Sequence, residues 1–199
     1  MGNVSTLPCV ELGVLGPLQV RQDGAPVIIP GAKPRAILTM LGLHGGSVVS
    51  ADALVELLWG QDPPRTAAKA LQTHISSLCR ALGDGFVLTE GVGWTLAESE
   101  VDASRYKSAA KLARDAAAAG DTRQAVARFE EALALWRGIP ELPDGRRGTS
   151  EKTRWIESHA DWWRIGPTRC SRRAAPRRSS GSSRPRWPMR RCAGGGGAS

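Results

Sequence analysis

The chain has 199 residues, enough for one or two domains that bury their own cores without metal or disulfide staples. Lys and Arg number 27 against 19 Asp and Glu, a net charge of +8, but residues 161–199 hold ten Arg and one acid, Asp161. Residues 1–160 carry 17 basic and 18 acidic side chains, so the high isoelectric point belongs to the last 39 residues and is no evidence that the folded part binds nucleic acid.

Further classes drop out on motif grounds. No apolar run approaches the ~18 residues of a membrane span, and the N-terminus lacks the basic and apolar regions of a secretory signal. Met1-Gly2-Asn3-Val4-Ser5-Thr6 fits the myristoylation pattern, one short enough to arise by chance. Cys9, Cys79, Cys170 and Cys192 form no Cys-x-x-Cys pair and have no His at metal-ligand spacing. Phosphate-loop, nucleophile-elbow and zinc-helix motifs are missing. The expectation is a cytoplasmic, non-enzymatic protein without metal or cofactor.

Residues 10–98 mix strand-like and helical runs. Val10–Val20 and Pro26–Ile29 alternate about a Gln22-Asp23-Gly24 turn, where Asp-Gly signals a hairpin. Lys33–Leu43 reads as a helix that turns Ile37, Leu38 and Leu41 inward, with Leu43 beside them. Ser50 is placed to cap a helix over Ala51–Trp59 with Leu54, Leu57 and Leu58 on its inner stripe. Gly60 and Pro63-Pro64 end that helix, and Thr66 is placed to cap a third over Ala67–Leu82. Leu71, Ile75, Leu78 and Leu82 give this third helix a single apolar face. At 100° per residue Lys69, Thr73, Ser76 and Arg80 fall on the opposite face, with Gln72 and Ser77 at its margins. Two short strands, Phe86–Thr89 and Trp94–Leu96, follow and are joined tightly through Glu90–Gly93.

Residues 102–160 change texture. Two Ala-rich helices, Ala103–Ala119 and Thr122–Trp136, meet at Gly120-Asp121 as an αα-hairpin. Their inward faces are read as Tyr106, Ala110, Ala113 and Ala117, and Ala125, Phe129, Leu133 and Trp136. Ala125-x-x-x-Phe129 is a fragment of the tetratricopeptide pattern. One helix pair leaves an apolar face open, to be closed by further repeats, the favoured reading, or by the first domain. Residues 149–160 continue in amphipathic fashion with Trp155 and Ile156. The pattern stops at Asp161-Trp162-Trp163.

Residues 161–199 are low in complexity and lack periodicity, which points to a disordered tail. Arg, Ala, Gly, Pro, Ser and Trp are also what a GC-rich coding strand yields in the wrong frame. Back-translation with mostly GC-rich codons, shifted by two bases, reads as two further amphipathic helices. The expectation is a frameshifted tail on a C-terminally truncated protein.

Strands, three helices and a hairpin in this order describe an α+β winged helix-turn-helix with an N-terminal antiparallel sheet, here followed by an all-α, tetratricopeptide-like region. In that architecture the third helix enters the major groove and the hairpin reaches the adjacent minor groove or backbone. Lys69 and Arg80 suit phosphates or guanine edges, while Gln72, Thr73 and Ser76 suit base edges or phosphates. A solvated surface helix explains the same polar face equally well.

The whole segment tips that balance. Leu12-Gly13-Val14-Leu15-Gly16-Pro17-Leu18-Gln19-Val20, Lys33-Pro34-Arg35-Ala36-Ile37-Leu38 and Leu54-Val55-Glu56-Leu57-Leu58-Trp59-Gly60 are joined by Pro63-Pro64-Arg65 and Leu71-Gln72-Thr73-His74-Ile75-Ser76. Gly91-Val92-Gly93-Trp94-Thr95-Leu96, Val101-Asp102-Ala103-Ser104-Arg105-Tyr106 and Ala132-Leu133-Ala134-Leu135-Trp136-Arg137-Gly138 continue the series. Together they resemble the SARP-type activators of actinobacterial antibiotic pathways, over about residues 10–160. The resemblance implies an OmpR-like DNA-binding domain at 10–98 and part of a bacterial transcriptional activation domain at 102–160. It implies double-stranded DNA with direct-repeat promoter elements as partner, a possible dimer on that DNA, RNA polymerase as a further partner, and no membrane. The DNA-binding residues implied are Arg65, Lys69, Gln72, Thr73, Ser76 and Arg80, with Thr89, Gly91, Gly93 and Trp94 in the wing.

Two departures bear on strength. The family's Ser-Arg-Leu-Arg-Arg is here Ser76-Ser77-Leu78-Cys79-Arg80, and residues 1–98 hold six Lys and Arg against eight Asp and Glu. The family's activation domain is also longer than residues 102–160, which predicts impaired activation. A helical protein-interaction module, and nonspecific nucleic-acid binding through the Arg-rich tail, are the alternatives. Trp59, Trp94 and Trp136 read as packing residues, and Cys79 as a helix-flank residue.

Overall fold

A computed structural model describes residues 10–97 and 100–165. Strands β1 (Val10–Gly13) and β2 (Gln19–Gln22) pair antiparallel, Leu12 opposite Val20, and β3 (Ala25–Pro26) extends the sheet. The Asp23-Gly24 turn has φ of 51° and 82°, the mirror-image geometry that the right-handed twist of a two-residue hairpin requires. Pro26 sits on the edge strand, where its missing N–H costs no ladder bond. The expected single run Val10–Val20 is in fact two strands, because Val14–Leu18 leaves the ladder to meet the helical region.

Helix α1 (Ala32–His44) buries Pro34, Ala36–Leu38, Thr39, Met40, Leu41, Gly42 and Leu43. It is enclosed on nearly every face rather than along one stripe, because it lies between the sheet, α2 (Ala51–Trp59), α3 (Ala67–Leu82) and α4 (Asp102–Ala118). Ser50 caps α2 as its spacing predicts, its hydroxyl accepting from the Ala53 amide at 3.2 Å. Thr66 stands at the head of α3 but makes no side-chain cap, since its φ and ψ of −92° and 5° leave the extended conformation that capping uses. A second sheet of order β4-β6-β5 joins β4 (Val49–Ser50) to the hairpin of β5 (Val87–Glu90) and β6 (Gly93–Leu96).

The helical region is tied to this frame. Strand β7 (Glu100–Val101), which alternation does not foretell, pairs parallel with β1 and brings Val101 beside Leu12. Helices α4 and α5 (Thr122–Leu135) form the expected hairpin, and Asp121 caps α5 through the Gln124 amide at 3.0 Å. Tyr106, Ala110 and Ala113 are buried, as are Ala125 and Phe129. Ala117 is exposed and Ala116 takes its place inside, while Leu133 and Trp136 are half-buried. The open face is closed from two sides: α4 packs on α1, and α6 (Arg146–Ile165) supplies Trp155 to Tyr106, ring centroids 5.9 Å apart. Helix α6 continues through Asp161 to Ile165, past the point where the amphipathic pattern stops. The tail expected to be disordered lies, from residue 166 on, outside the described residues.

Candidate nucleic-acid interface

Helix α3 is held by one seam. Leu71, Ile75, Leu78 and Leu82 are each no more than 6% exposed, and they dock the helix against α1, α2 and β5. This rigid seating projects Lys69, Gln72, Thr73, Ser76 and Arg80 into solvent, with Arg65 exposed in the turn before the helix. The hydroxyl of Thr73 donates to the Lys69 carbonyl one turn back at 3.0 Å, so it must leave that bond to touch another molecule.

The hairpin rises beside the helix and creates a cleft of about 620 Å³. Gln72, Ser76 and Arg80 line it from α3, Asp84 from the following turn, and Thr89 and Trp94 from the hairpin. The structure thus brings four of the expected polar residues, Gln72, Ser76, Arg80 and Thr89, around one opening. Arg65, Lys69 and Thr73 lie outside that lining, on surface open to solvent.

The wing residues divide. Thr89 and Gly91 are exposed, and Gly91, with φ of 56°, begins the two-residue Gly91-Val92 turn. Gly93 and Trp94 are buried in β6. A Cβ on Gly93 would run into the Val49 carbonyl of β4, so glycine is needed there for strand approach. Trp94 is 5% exposed and packs into the core cluster, only its edge reaching the cleft. Val92 at the tip, 83% exposed, escaped the sequence reading because an apolar residue between two glycines carries no polar signal.

Electrostatics favour α3 over the rest of the domain. Arg35 is engaged by Glu141 at 2.5 Å, and Lys33 lies 4.3 Å from the Trp59 ring centroid in a cation–π contact. Among the described residues no ion pair engages Arg65, Lys69 or Arg80. On the inner side of α3, burial and the nearby Lys33 hold the His74 imidazole below its usual value. His74 is therefore mainly neutral at physiological pH and adds little positive charge to this surface.

Known proteins share this arrangement. Residues 27–96 match the family described as "Transcriptional regulatory protein, C terminal", and residues 101–165 match the "Bacterial transcriptional activator domain". Regulatory protein AfsR of Streptomyces coelicolor is 35% identical over 132 residues, 65% of this chain and 13% of AfsR. MoaR1, a transcriptional regulatory protein of Mycobacterium bovis, is 35% identical over 153 residues, 72% of this chain and 49% of MoaR1. The solved structure of Mycobacterium tuberculosis EmbR in complex with a low-affinity phosphopeptide superposes with a TM-score of 0.68 at 29% identity, over 78% of this chain and 44% of that one. The chain thus spans about half or less of the length of these relatives. Among its described residues no helix is long and apolar enough to cross a membrane. Its two matched segments, in this order and on this fold, make the chain a member of the SARP-type transcriptional regulators, which join an OmpR-like winged helix to a bacterial transcriptional activator domain.

Proposed function

We propose that α3 enters the major groove of duplex DNA and that the chain regulates promoters bearing direct repeats. The observation that carries this reading is the division of α3 into a fully seated apolar seam and an exposed face of Lys69, Gln72, Thr73, Ser76 and Arg80. A helix so held presents side chains in a fixed geometry, as base readout demands. Gln72 and Ser76 serve base edges; Arg65, Lys69 and Arg80 serve phosphates or a guanine edge. The hairpin tip lies against the neighbouring backbone through Thr89, Gly91 and Val92, without a cation of its own in Val87–Leu96. Few cations and several nearby acids make single-site binding weak, and paired sites on adjacent repeats compensate through a dimer on DNA.

In this reading the helical region recruits RNA polymerase, and activation is impaired because residues 161–199 belong to a shifted frame. The Arg-rich composition supports that view. Sequencing the gene through the codons for residues 161–166 tests it, and an intact downstream frame without helical periodicity removes it. For DNA binding the test is a nuclease protection assay on the promoters flanking the gene, with excess nonspecific duplex as competitor. Protection over repeated elements is expected; a uniform pattern that competitor erases overturns sequence-specific binding.

A further inference from the structure

A helix seated in the major groove has a phosphate strand on each side. The groove is about 12 Å wide and a helix with its side chains about 10–12 Å across, so both groove walls close on its flanks. On α3 the flank toward the hairpin is marked by Gln72, Ser76 and Cys79, which line the cleft there with Arg80. At 100° per residue Ala70, His74 and Ser77 fall on the other flank. With His74 mainly neutral, none of the three supplies a positive charge. A phosphate strand on that side needs a cation from another element.

Lys33, in the first turn of α1, meets that need. Burial first and Lys33 second depress the His74 imidazole, which places the ammonium within electrostatic reach of this flank. Its Nζ sits 4.3 Å from the ring centroid of Trp59, the last residue of α2. Both side chains are half-buried, so the ring positions the ammonium and leaves part of it in water. A cation–π contact neutralises nothing, and the ammonium keeps its charge and its donors. Among the described residues no ion pair engages Lys33, whereas Arg35, two positions on, is held by Glu141. We propose that Lys33, seated on Trp59, binds a DNA phosphate on the flank of α3 opposite the hairpin. The assignment rests on the reading of α3 as a major-groove helix. Arg80 and the cation-free hairpin then face one strand and Lys33 the other, which makes α1 part of the interface. Such a contact carries no base preference; it fixes the register and orientation of α3 in the groove.

The experiment measures binding of the full chain to its protected promoter fragment by fluorescence anisotropy, with excess nonspecific duplex, across a salt series. Lys33→Gln is expected to weaken the complex about fivefold at low salt and to flatten the plot of log Kd against log salt by about one unit. Lys33→Arg should retain both, since a guanidinium also binds phosphate and rests on an aromatic face. Ethylation of DNA phosphates should block the parent at two separated clusters, one of which fades in Lys33→Gln. Weaker binding with an unchanged slope and both clusters intact assigns Lys33 to packing and overturns the proposal. Unchanged affinity in Lys33→Gln where Arg80→Ala weakens binding overturns it too, and leaves the reading of α3 standing. A chain that protects no fragment, or that both substitutions leave unaffected, overturns the two together.

Discussion

Arg80 and Asp102 show two opposite uses of charge. Arg80 is exposed near the end of α3 and lines the cleft beside the hairpin. Arg80→Ala is expected to weaken specific duplex binding by about 1–3 kcal/mol and to flatten the salt dependence by about one unit if the contact is a phosphate. Fluorescence anisotropy across a salt series checks this, and unchanged affinity at every salt concentration removes Arg80 from the interface. Asp102 is fully buried. Its carboxylate accepts from the Val14 and Leu15 amides at 2.8 and 3.1 Å and pairs with Arg137 at 3.2 Å. Burial pushes its pKa up, while the two amides and the guanidinium pull it back. Asp102→Ala strands two amides and a largely buried guanidinium, and should cost about 3–5 kcal/mol in urea unfolding. The polar face of α3 was legible because helical periodicity alone sorts its residues. The anchoring contacts of Asp102 were not, because its partners lie 87 and 88 positions away along the chain.

At the scale of elements, the proposed role of α3 in DNA binding depends on how firmly the helix is seated. Ile75→Ala removes a side chain 6% exposed in the middle of the seam, with an expected loss of about 2–5 kcal/mol. Thermal denaturation measures that loss, and DNA affinity under conditions where the variant stays folded shows how much depends on seating. The loop after α5 forms a second joint. Arg137 donates to the Pro17 carbonyl at 2.9 Å, and its amide donates to the Leu15 carbonyl at 2.8 Å. A Cβ on Gly16 would lie 3.0 Å from the Arg137 Cβ, and its φ of 145° is one that side chains rarely adopt. Glu141 completes the joint by pairing with Arg35 and accepting from the Leu18 amide at 3.1 Å. A further contact, between His44 at the end of α1 and Glu151 of α6, spans 3.4 Å, and the hydrogen bonds from Arg35 and His44 hold the Glu141 and Glu151 carboxyls, respectively, below the usual 4.5.

A depressed folded-state pKa gives stability that is complete above the unfolded value and lost as pH falls through the folded one. The junction should therefore weaken in acid below about pH 4.5. Glu141→Gln is expected to lower the melting temperature near neutrality, with the difference from the parent closing in acid. A difference that persists unchanged at low pH would assign the effect to packing.

For the whole molecule, the charge map separates the two ways this chain could meet DNA. Deleting residues 166–199 removes nine of the chain's arginines, beginning with Arg169, and no acid. Nonspecific duplex binding should fall sharply with that deletion, while the protected repeats remain, because the proposed reading assigns site selection to α3. Loss of the footprint together with nonspecific binding would instead place DNA binding in the tail.

Local pattern determined α1, α2, α3, the β5–β6 hairpin, α4 and α5 and their order, the Asp23-Gly24 turn, the Ser50 cap and the amphipathic division of α3. Each depends on residues within a few positions of one another, where side-chain period and turn chemistry act directly. Tertiary structure decided the rest. It enclosed α1 on nearly every side, added β7 to the edge of the first sheet and turned Trp94 into the core. It also packed α4 on α1 and brought Trp155 of α6 against Tyr106. Those outcomes depend on which surfaces find each other across long stretches of chain, where burial of apolar area and pairing of buried charge outweigh local preference.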